Sequence, residues 1–212
     1  MVNYSLIDTL IIEGDKALKT VLSEGAGSHR LSPDADIKSV ELSKDESAKS
    51  IGLMRVNHSG EVSAQALYQG QALTAKLASV RHAMEQAAEE ENDHLHWCQT
   101  RITELGGRTS ILNPFWYASS FVLGALAGKA GDKWSLGFVA ETEKQVVEHL
   151  DDHLHKMSPQ DLKSRAILQK MKDDELHHGT VALEAGGVDL PEPIKGVMNL
   201  VSKVMTLTSY RI

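Results

Sequence analysis

Hydrophobic residues recur with a helical spacing along most of this chain, and the pattern predicts an all-α protein. Long periodic segments span about 46–79, 80–105, 132–156 and 159–185, and each is long enough for a bundle helix. The fourth segment begins with Ser158 as its predicted N-cap, and the second and fourth both end at a Gly-Gly pair. The sequence therefore predicts a four-helix bundle built from two helical hairpins that are related by an internal duplication.

A shorter amphipathic helix is predicted at residues 5–23, where Leu6 and Leu10 begin a loose 3.6-residue rhythm. A polar connector rich in Gly, Ser, Pro and Asp follows this helix. The predicted organisation is an N-terminal helix and connector over 1–45, followed by one helical domain over 46–212.

Two further apolar segments lie outside the four bundle helices. Residues 111–128 contain no charged residue, and they belong to a connection, about 108–131, that is long enough to cross over the length of the bundle. This crossover either packs under the bundle as core or lies at a membrane interface, with Trp116 and Tyr117 at headgroup level. An apolar stripe over about 193–210 predicts a C-terminal amphipathic helix that lies on a membrane or caps the domain.

Charge and cysteine content exclude several classes of protein. The net charge of −7 argues against nucleic-acid binding, because no basic excess is present to neutralise phosphates. Cys98 is the single cysteine, which excludes disulfide frameworks, cysteine-rich zinc sites and a rubredoxin-type iron centre. The first residues lack the basic region of a secretory signal, so no such leader is expected.

The predicted bundle helices carry a doubled pattern of metal ligands, in which a lone glutamate precedes Glu-x-x-His by about thirty residues. The candidate ligands are Glu61, Glu91 and His94 in the first half and Glu143, Glu175 and His178 in the second half. Positions i and i+3 share one face of a helix, so the carboxylate and the imidazole converge on the same ion. Four carboxylates neutralise two Fe²⁺ ions, and an oxygen-rich site with few imidazoles suits iron or manganese better than zinc or copper.

Several residues near the candidate ligands receive less specific interpretations. His149 is a candidate for supporting a ligand carboxylate or relaying protons or electrons, although His149 and His153 together are more simply surface histidines. Gly60 is expected to let its helix approach the metals and the partner helix closely. The remaining acids are interpreted as a solvated face, namely Glu85, Glu89, Glu90, Asp93, Asp173 and Asp174.

Three strings in this sequence carry a family resemblance: Arg-Val-Asn-His-Ser-Gly-Glu at 55–61, Glu-Asn-Asp-His-Leu at 91–95 and Asp-Glu-Leu-His-His at 174–178. They resemble the demethoxyubiquinone (3-demethoxyubiquinol) hydroxylase family of ubiquinone biosynthesis. The resemblance implies a ferritin-like di-iron monooxygenase that hydroxylates the ring of demethoxyubiquinol with O₂ and two electrons. The family's six ligands fall on the candidate ligands above and its supporting histidine falls on His149, whereas its neighbouring tyrosine is Leu150 here.

The resemblance also implies cofactors, partners and a location. We expect two iron ions per chain, O₂ as co-substrate, a polyprenylated quinol as substrate, and peripheral attachment to the cytoplasmic side of the cell membrane. Other ubiquinone-biosynthesis proteins and further copies of this chain are additional expected partners. No Gly-x-Gly-x-x-Gly fingerprint is present, so the electrons come from a partner, from the quinol, or from a nicotinamide bound without that motif.

Other interpretations remain open at this point. A bacterioferritin-like ferroxidase or iron-binding protein carries the same two Glu-x-x-His motifs, but an iron-storage shell needs a polar exterior, which the apolar crossover and C-terminal stripe oppose. A membrane-associated bundle without metal requires the doubled ligand pattern to be a coincidence. A peroxidase of the rubrerythrin type is disfavoured by the missing cysteine centre.

Overall fold

A computed structural model describes residues 5–22 and 30–212, and over these residues the chain is helical with no β-strand. The helices are α1 (Leu6–Leu22), α2 (Lys44–Thr74), α3 (Ala78–Glu104), α4 (Asn113–Ala130), α5 (Asp132–Lys156), α6 (Leu162–Glu184) and α7 (Glu192–Ser209). The all-α prediction is confirmed, and each predicted helix has its counterpart, with ends displaced by at most a few residues. The side chains of Leu6 and Leu10 and the start of the connector lie outside the described residues.

Local capping explains where α2 begins and where it ends. Ser43 is the N-cap, and its hydroxyl accepts the Glu46 N–H while the Glu46 carboxylate accepts the Ser43 N–H at 3.0 Å. At the other end, the Asp132 carboxylate accepts the backbone N–H groups of Lys76 and Leu77, both at 3.0 Å. Because Asp132 is also the first residue of α5, it attaches the turn between α2 and α3 to the second hairpin.

The predicted N-cap of α6 is wrong by three residues. The Ser158 hydroxyl donates instead to Glu46 Oε1 at 2.7 Å, which joins this turn to the start of α2. Asp161 is the actual N-cap, and its carboxylate accepts the Ser164 N–H at 3.1 Å. The same carboxylate pairs with the buried guanidinium of Arg101 at 2.8 Å, so a contact between helices fixes the start of α6.

The bundle consists of the α2–α3 hairpin facing the α5–α6 hairpin, and α4 is the crossover that connects them. α4 packs along α2 with the two backbones in contact, which requires glycine on both helices. A Cβ atom on Gly124 would lie 2.2 Å from the Leu67 carbonyl oxygen, and one on Gly70 would lie 2.2 Å from the Phe121 carbonyl oxygen. This close approach places the crossover along the outside of the first hairpin.

Two large apolar clusters leave a polar layer between them, and a third, smaller cluster lies where α4 packs on α2 and α3. One cluster contains Leu53, Met54, Trp97, Cys98, Ile102, Leu150, Leu154, Met157, Ile167, Leu168 and Met171. The other contains Ala64, Tyr68, Ala72, Ala75, Val80, Met84, Ala88, Leu136, Val139, Ala140 and Ala182. In each of the four bundle helices the candidate ligands fall between the residues of these two clusters, so the ligands are held inside an otherwise apolar core.

α4 has one face against the bundle and one apolar face in solvent. Trp116 and Tyr117 belong to the buried face, each with 7% of its surface exposed. The Trp116 indole N–H donates to the Ser209 hydroxyl at 3.1 Å, and the Tyr117 hydroxyl donates to Gln69. Of the two alternatives for the crossover, these two rings follow the one in which it packs as core, and their placement at headgroup level is wrong, because they attach α4 to α7 and α2. Within the described ranges, no helix combines the length and apolar character needed to cross a bilayer.

Candidate metal centre

The structure brings the candidate ligands from all four bundle helices into the polar layer. Ligand atoms of Glu61, Glu91, His94 and Glu175 all lie within 4.8 Å of one another. Nδ1 of His94 lies 3.0 Å from one oxygen of Glu91 and 3.0 Å from one oxygen of Glu175. Nδ1 of His178 lies 3.4 Å and 3.1 Å from the other oxygens of the same two glutamates. Glu91 and Glu175 are thus arranged as carboxylates shared between two positions.

The remaining two glutamates lie at the outer ends of this arrangement. Glu61 Oε2 is 3.6 Å from Nδ1 of His94. Glu143 is buried and accepts a hydrogen bond from the Tyr68 hydroxyl. It lies near His178, whose positive charge acts to lower the pKa of the Glu143 carboxyl group. This arrangement would allow Glu61 and His94 to hold one metal ion and Glu143 and His178 to hold a second, with the two shared carboxylates available to both.

The pKa values of the clustered acids and histidines are shifted by burial and by one another's charges. Burial raises the pKa of Glu61 and Glu143 well above the usual range, and neighbouring carboxylates raise both further. Burial acts in the same direction on Glu91, but the positive charge of His94 holds the pKa of this group well below its usual range. Burial alone would lower the pKa of His178, yet hydrogen bonds to the shared carboxylates raise it to about 12. Protons on these groups reduce the negative charge of the buried carboxylates, and two divalent cations would reduce it in the same way.

The unsatisfied atoms of the cluster also fit metal ions. Oε1 of Glu91 and Oε1 of Glu175 are buried without a well-directed hydrogen bond among the described residues, and each faces a histidine nitrogen, at 3.4 Å from Nδ1 of His178 and 3.0 Å from Nδ1 of His94. A buried carboxylate oxygen without a partner is costly, and coordination to a cation removes this cost. Four carboxylates and two imidazoles form an oxygen-rich donor set, which suits iron or manganese. The residues present therefore fit a two-metal carboxylate site.

Each histidine is oriented by an acid from the opposite helix. Nε2 of His94 on α3 is 3.1 Å from Asp174 Oδ2 on α6, and Nε2 of His178 on α6 is 2.7 Å from Glu90 Oε2 on α3. With Nε2–H donating outward, Nδ1 presents its lone pair to the ion. The assignment of Asp174 to a solvated face is wrong, because its side chain is 15% exposed and contacts His94 across the seam between the helices. Glu90 is 40% exposed, so it is partly solvated as predicted, but its carboxylate also contacts His178.

The other acids of the expected solvated face divide into two groups. Asp93 is almost completely buried and forms an ion pair with Arg30 of the connector, so its assignment to solvent is wrong. Glu85, Glu89 and Asp173 are exposed, as predicted. Asp93 pairs with a residue of the connector, which packs over α3. The sequence pattern of α3 alone therefore cannot predict that Asp93 is buried.

His149 lies beside the metal centre in the wall of a cavity that also includes Glu61. Its ring centroid is 3.9 Å from that of His153, and burial lowers its pKa. Its Nε2 is buried and meets no hydrogen-bond partner within residues 5–22 and 30–212. His153 is buried, and its Nδ1 is 2.9 Å from Asn57 Oδ1. The interpretation of the pair as surface histidines is therefore wrong.

The cavity beside Glu61 is apolar and has a volume of about 890 Å³. Residues of α2, α4, α5 and α7 enclose it, and its rim includes the exposed side chains Phe115, Val122, Val197 and Leu200. Gly60 borders this space, with no atom within 4 Å of where a Cβ would lie. The expectation that Gly60 permits close helix packing is wrong, since this glycine instead leaves room beside Glu61. An apolar molecule can reach the metal centre from the surface between α4 and α7.

Comparison with a solved structure supports the fold. The bacterioferritin-related protein from Bacteroides fragilis, a dodecameric thioferritin, superimposes with a TM-score of 0.54 at 20% sequence identity. The match covers 64% of this chain and 82% of that chain. At this level of identity the likeness concerns the fold alone, and it confirms the ferritin-like helical bundle predicted from the sequence.

Sequence comparisons are more specific. The family model described as ubiquinone biosynthesis protein COQ7 matches residues 48–209. Proteins named 3-demethoxyubiquinol 3-hydroxylase are 61% identical in Nitrosococcus oceani, over 97% of this chain and 96% of that protein, and 56% identical in Chromobacterium violaceum, over 98% and 100%. A protein of the same name in Stutzerimonas stutzeri is 56% identical over 99% of this chain and 98% of its own length. The chain therefore belongs to the COQ7 family of ubiquinone biosynthesis proteins.

Proposed function

We propose that this protein is a 3-demethoxyubiquinol 3-hydroxylase of ubiquinone biosynthesis. One oxygen atom of O₂ replaces a ring C–H by C–OH, and two electrons with two protons convert the other oxygen atom to water. The observation that carries this proposal is the position of Glu61, which belongs both to the ligand cluster and to the wall of the apolar cavity. The names and near-complete coverage of the relatives support the same activity.

The metal pair in this proposal is iron. Glu61 and His94 would hold one ion and Glu143 and His178 the other, and Glu91 and Glu175 would be available to both. Bound iron supplies the activation of O₂ and the redox equivalents that carboxylate and imidazole groups lack. The chain's own contribution is to hold the ligands inside an apolar core, which keeps water away from the reacting ring.

We assign His149 the role of binding the ring of the substrate. Its Nε2 has no hydrogen-bond partner among the described residues, and its side chain lines the cavity that leads to Glu61. A quinol hydroxyl group can satisfy this nitrogen, which would orient the ring toward the metal centre. The low pKa of His149 keeps the ring neutral near pH 7, so it accepts or donates a hydrogen bond without carrying charge.

A polyprenylated quinol resides in a bilayer, so the cavity has to open toward a membrane surface. The helices at its mouth expose a set of large apolar side chains: Phe115, Val122, Leu123 and Leu126 on α4, and Val197, Leu200, Val204 and Leu207 on α7. Such a surface binds at the interfacial depth of a bilayer by burying apolar area. We infer peripheral binding on the cytoplasmic side of the cell membrane through this α4–α7 face.

Association with other ubiquinone-biosynthesis proteins, self-association and the source of electrons stay predictions. So does the absence of nucleic-acid binding, for which the acidic net charge is the reason.

The metal centre is tested by anaerobic titration with Fe²⁺, followed by excess Fe²⁺ in air. We expect saturation at about two ions per chain, as the ligand arithmetic of such bundles requires. The loaded protein should then convert demethoxyubiquinol to a product heavier by one oxygen atom from ¹⁸O₂. Glu143→Ala should abolish this conversion while the far-UV circular dichroism remains helical. Continued uptake of iron far beyond two per chain would instead support the ferroxidase alternative.

The membrane surface is tested by flotation with liposomes. Val197→Asp places a charge on the α4–α7 face and should reduce flotation, and truncation after Glu192 should reduce it further. Leu176→Asp is the matched control, because Leu176 on α6 and Val197 on α7 are both 61% exposed. Equal flotation of the Val197→Asp and Leu176→Asp proteins would contradict the assignment of this face.

A further inference from the structure

The connector between α1 and α2 crosses the seam between the two Glu-x-x-His helices, and Arg30 is its contact with both. Nη1 of Arg30 is 3.0 Å from Asp174 Oδ2 on α6, and Nε forms an ion pair with Asp93 on α3. Nη2 also donates to the Glu90 carbonyl oxygen at 3.4 Å. One guanidinium group therefore joins α3 to α6 at the level of the metal ligands, although Arg30 lies outside the residues 48–209 that match the family model.

Asp174 connects this guanidinium to a metal ligand. The same oxygen that contacts Arg30, Oδ2, is 3.1 Å from Nε2 of His94. With its Nε2–H donated to this carboxylate, His94 presents Nδ1 toward the oxygens of Glu91 and Glu175, at 3.0 Å from each. A carboxylate behind a ligating histidine fixes the tautomer and the ring orientation, and its own position then depends on what holds it in place.

Aromatic packing places Arg30 against the same histidine from a second direction. The guanidinium carbon lies 5.1 Å from the centroid of the Trp97 ring, within the range of a cation–π contact. The Trp97 ring centroid is in turn 5.4 Å from that of His94. Asp93, the other acid held by Arg30, is buried, and its Oδ1 has no hydrogen-bond partner in the part of the chain that the structure describes. Of the two acids that Arg30 holds, Asp174 is the one in contact with His94.

The two ion positions differ in this respect. The acid behind His94 is Asp174, whose side chain is 15% exposed and paired with Arg30. The acid behind His178 is Glu90, whose side chain is 40% exposed. The histidine nearer to Glu61 is therefore held by a more buried and charge-paired carboxylate than the histidine nearer to Glu143.

We propose that Arg30 is a positioning residue for the ion bound by His94 and Glu61, and that it acts through Asp174. The connector is then part of the metal centre and not only a link between α1 and the bundle. Lys170 also pairs with Asp174, but it does so from α6 itself and cannot join the two helices. This inference rests on the two-metal site of the proposed function.

The test is an anaerobic titration of the full-length, metal-free protein with Co²⁺ alone, in which the visible absorption resolves two binding events. Arg30→Gln should weaken one of the two events by about tenfold or more, the usual effect of losing support behind a ligand, and leave the other unchanged. Arg30→Lys should restore part of the loss. Lys170→Gln should lose less than Arg30→Gln, and Lys38→Gln, which removes an exposed charge from the same connector, should bind as the unaltered protein does.

A mutant cycle separates positioning from general damage to the fold. Asp174→Asn should weaken the same Co²⁺ event, and adding Arg30→Gln to it should cost little more, because both residues act on His94 by one route. Full additivity, equal weakening of both events, or an unchanged isotherm in Arg30→Gln would overturn the proposal. If the unaltered protein binds fewer than two Co²⁺ ions, the two-metal site itself fails and the inference fails with it; unchanged binding in Arg30→Gln beside a two-ion wild type overturns the inference alone.

Discussion

The Tyr68 hydroxyl donates a hydrogen bond to Oε1 of Glu143, inside the bundle where both side chains are almost fully excluded from solvent. Burial raises the pKa of Tyr68 well above its usual value, and the charge of Glu143 raises it further. The phenol therefore stays protonated and remains a donor to this ligand. Tyr68 lies on α2 two turns after the candidate ligand Glu61, and it orients the candidate ligand Glu143 on α5.

Replacing Tyr68 by Phe removes this donor while keeping the ring that packs in the core. We expect Tyr68→Phe to weaken the ion position beside Glu143 by about tenfold and to lower the rate of quinol hydroxylation, because Glu143 loses the contact that orients it. Metal titration and product analysis measure the two effects. Tyr117→Phe is the matched control, since it removes a buried hydroxyl whose partner is Gln69. Equal metal affinity in the two variants would contradict this role for Tyr68.

The open space beside Gly60 gives a prediction about the substrate. A Gly60→Leu side chain would extend into the apolar cavity next to Glu61, so the Michaelis constant for the quinol should rise at least tenfold while two metal ions still bind. Gly60→Ala should leave turnover intact and stabilise the protein by about 1 kcal/mol, because alanine is the better helix former. Steady-state kinetics and urea unfolding check these outcomes. An unchanged Michaelis constant in Gly60→Leu would show that the substrate takes another path.

The helices and the six candidate ligands could be predicted because their signals are local. An i, i+3 pair such as Glu91 and His94 needs only a helix to bring its two side chains onto one face. Spacing along a hairpin then brings Glu61 to the same level. By contrast, Asp174 and Arg30 act through contacts between elements that are distant in sequence, and no spacing rule relates them.

In a segment that is apolar on every side, the sequence does not show which side chains are buried and which are exposed. Trp116 and Phe115 are neighbours in a charge-free stretch, and hydropathy treats them alike. The structure buries Trp116, whose indole reaches Ser209, and exposes Phe115 at the rim of the cavity.

The start of α6 also depends on a contact between helices. Ser158 and Asp161 are both acceptable N-caps, and the ion pair with Arg101 from α3 selects Asp161.

The buried histidine His58 makes stability depend on pH. Burial lowers its pKa to about 4, from 6.5 in an exposed state, and Nδ1 is 3.2 Å from the Asn113 amide nitrogen. At a pH between these two pKa values, His58 binds a proton in the unfolded chain but not in the folded chain. The folded state therefore loses stability as the pH falls from about 6.5 to about 4. The full contribution of this group amounts to about 3 kcal/mol.

Substituting His58 by Gln should remove this component of acid sensitivity. Urea unfolding of metal-free protein between pH 7 and pH 4.5 should show a loss of unfolding free energy that is about 2–3 kcal/mol larger in the unaltered protein than in His58→Gln. Other titrating groups contribute to both proteins and cancel in the difference. Parallel pH profiles for the two proteins would mean that His58 is already protonated in the fold or keeps its ordinary pKa.

The ion pair between Arg101 and Asp161 predicts a large effect on stability. Arg101 is buried, and its guanidinium also contacts the Ser164 hydroxyl at 2.9 Å and Glu104 Oε2 at 2.8 Å. Asp161→Ala removes both the N-cap of α6 and the most buried partner of this charge, and should lower the free energy of unfolding by about 3 kcal/mol.

The second substitution, Arg101→Met, decides the mechanism. If the loss in Asp161→Ala comes from a buried charge without a sufficient partner, then Arg101→Met added to Asp161→Ala should recover at least about 1 kcal/mol, because an apolar side chain of similar length needs no counter-charge. If the loss comes from the cap alone, the double variant should be no more stable than Asp161→Ala. Asp173→Ala, which removes an exposed acid from the same helix, should change the unfolding free energy by less than about 0.5 kcal/mol and serves as the reference.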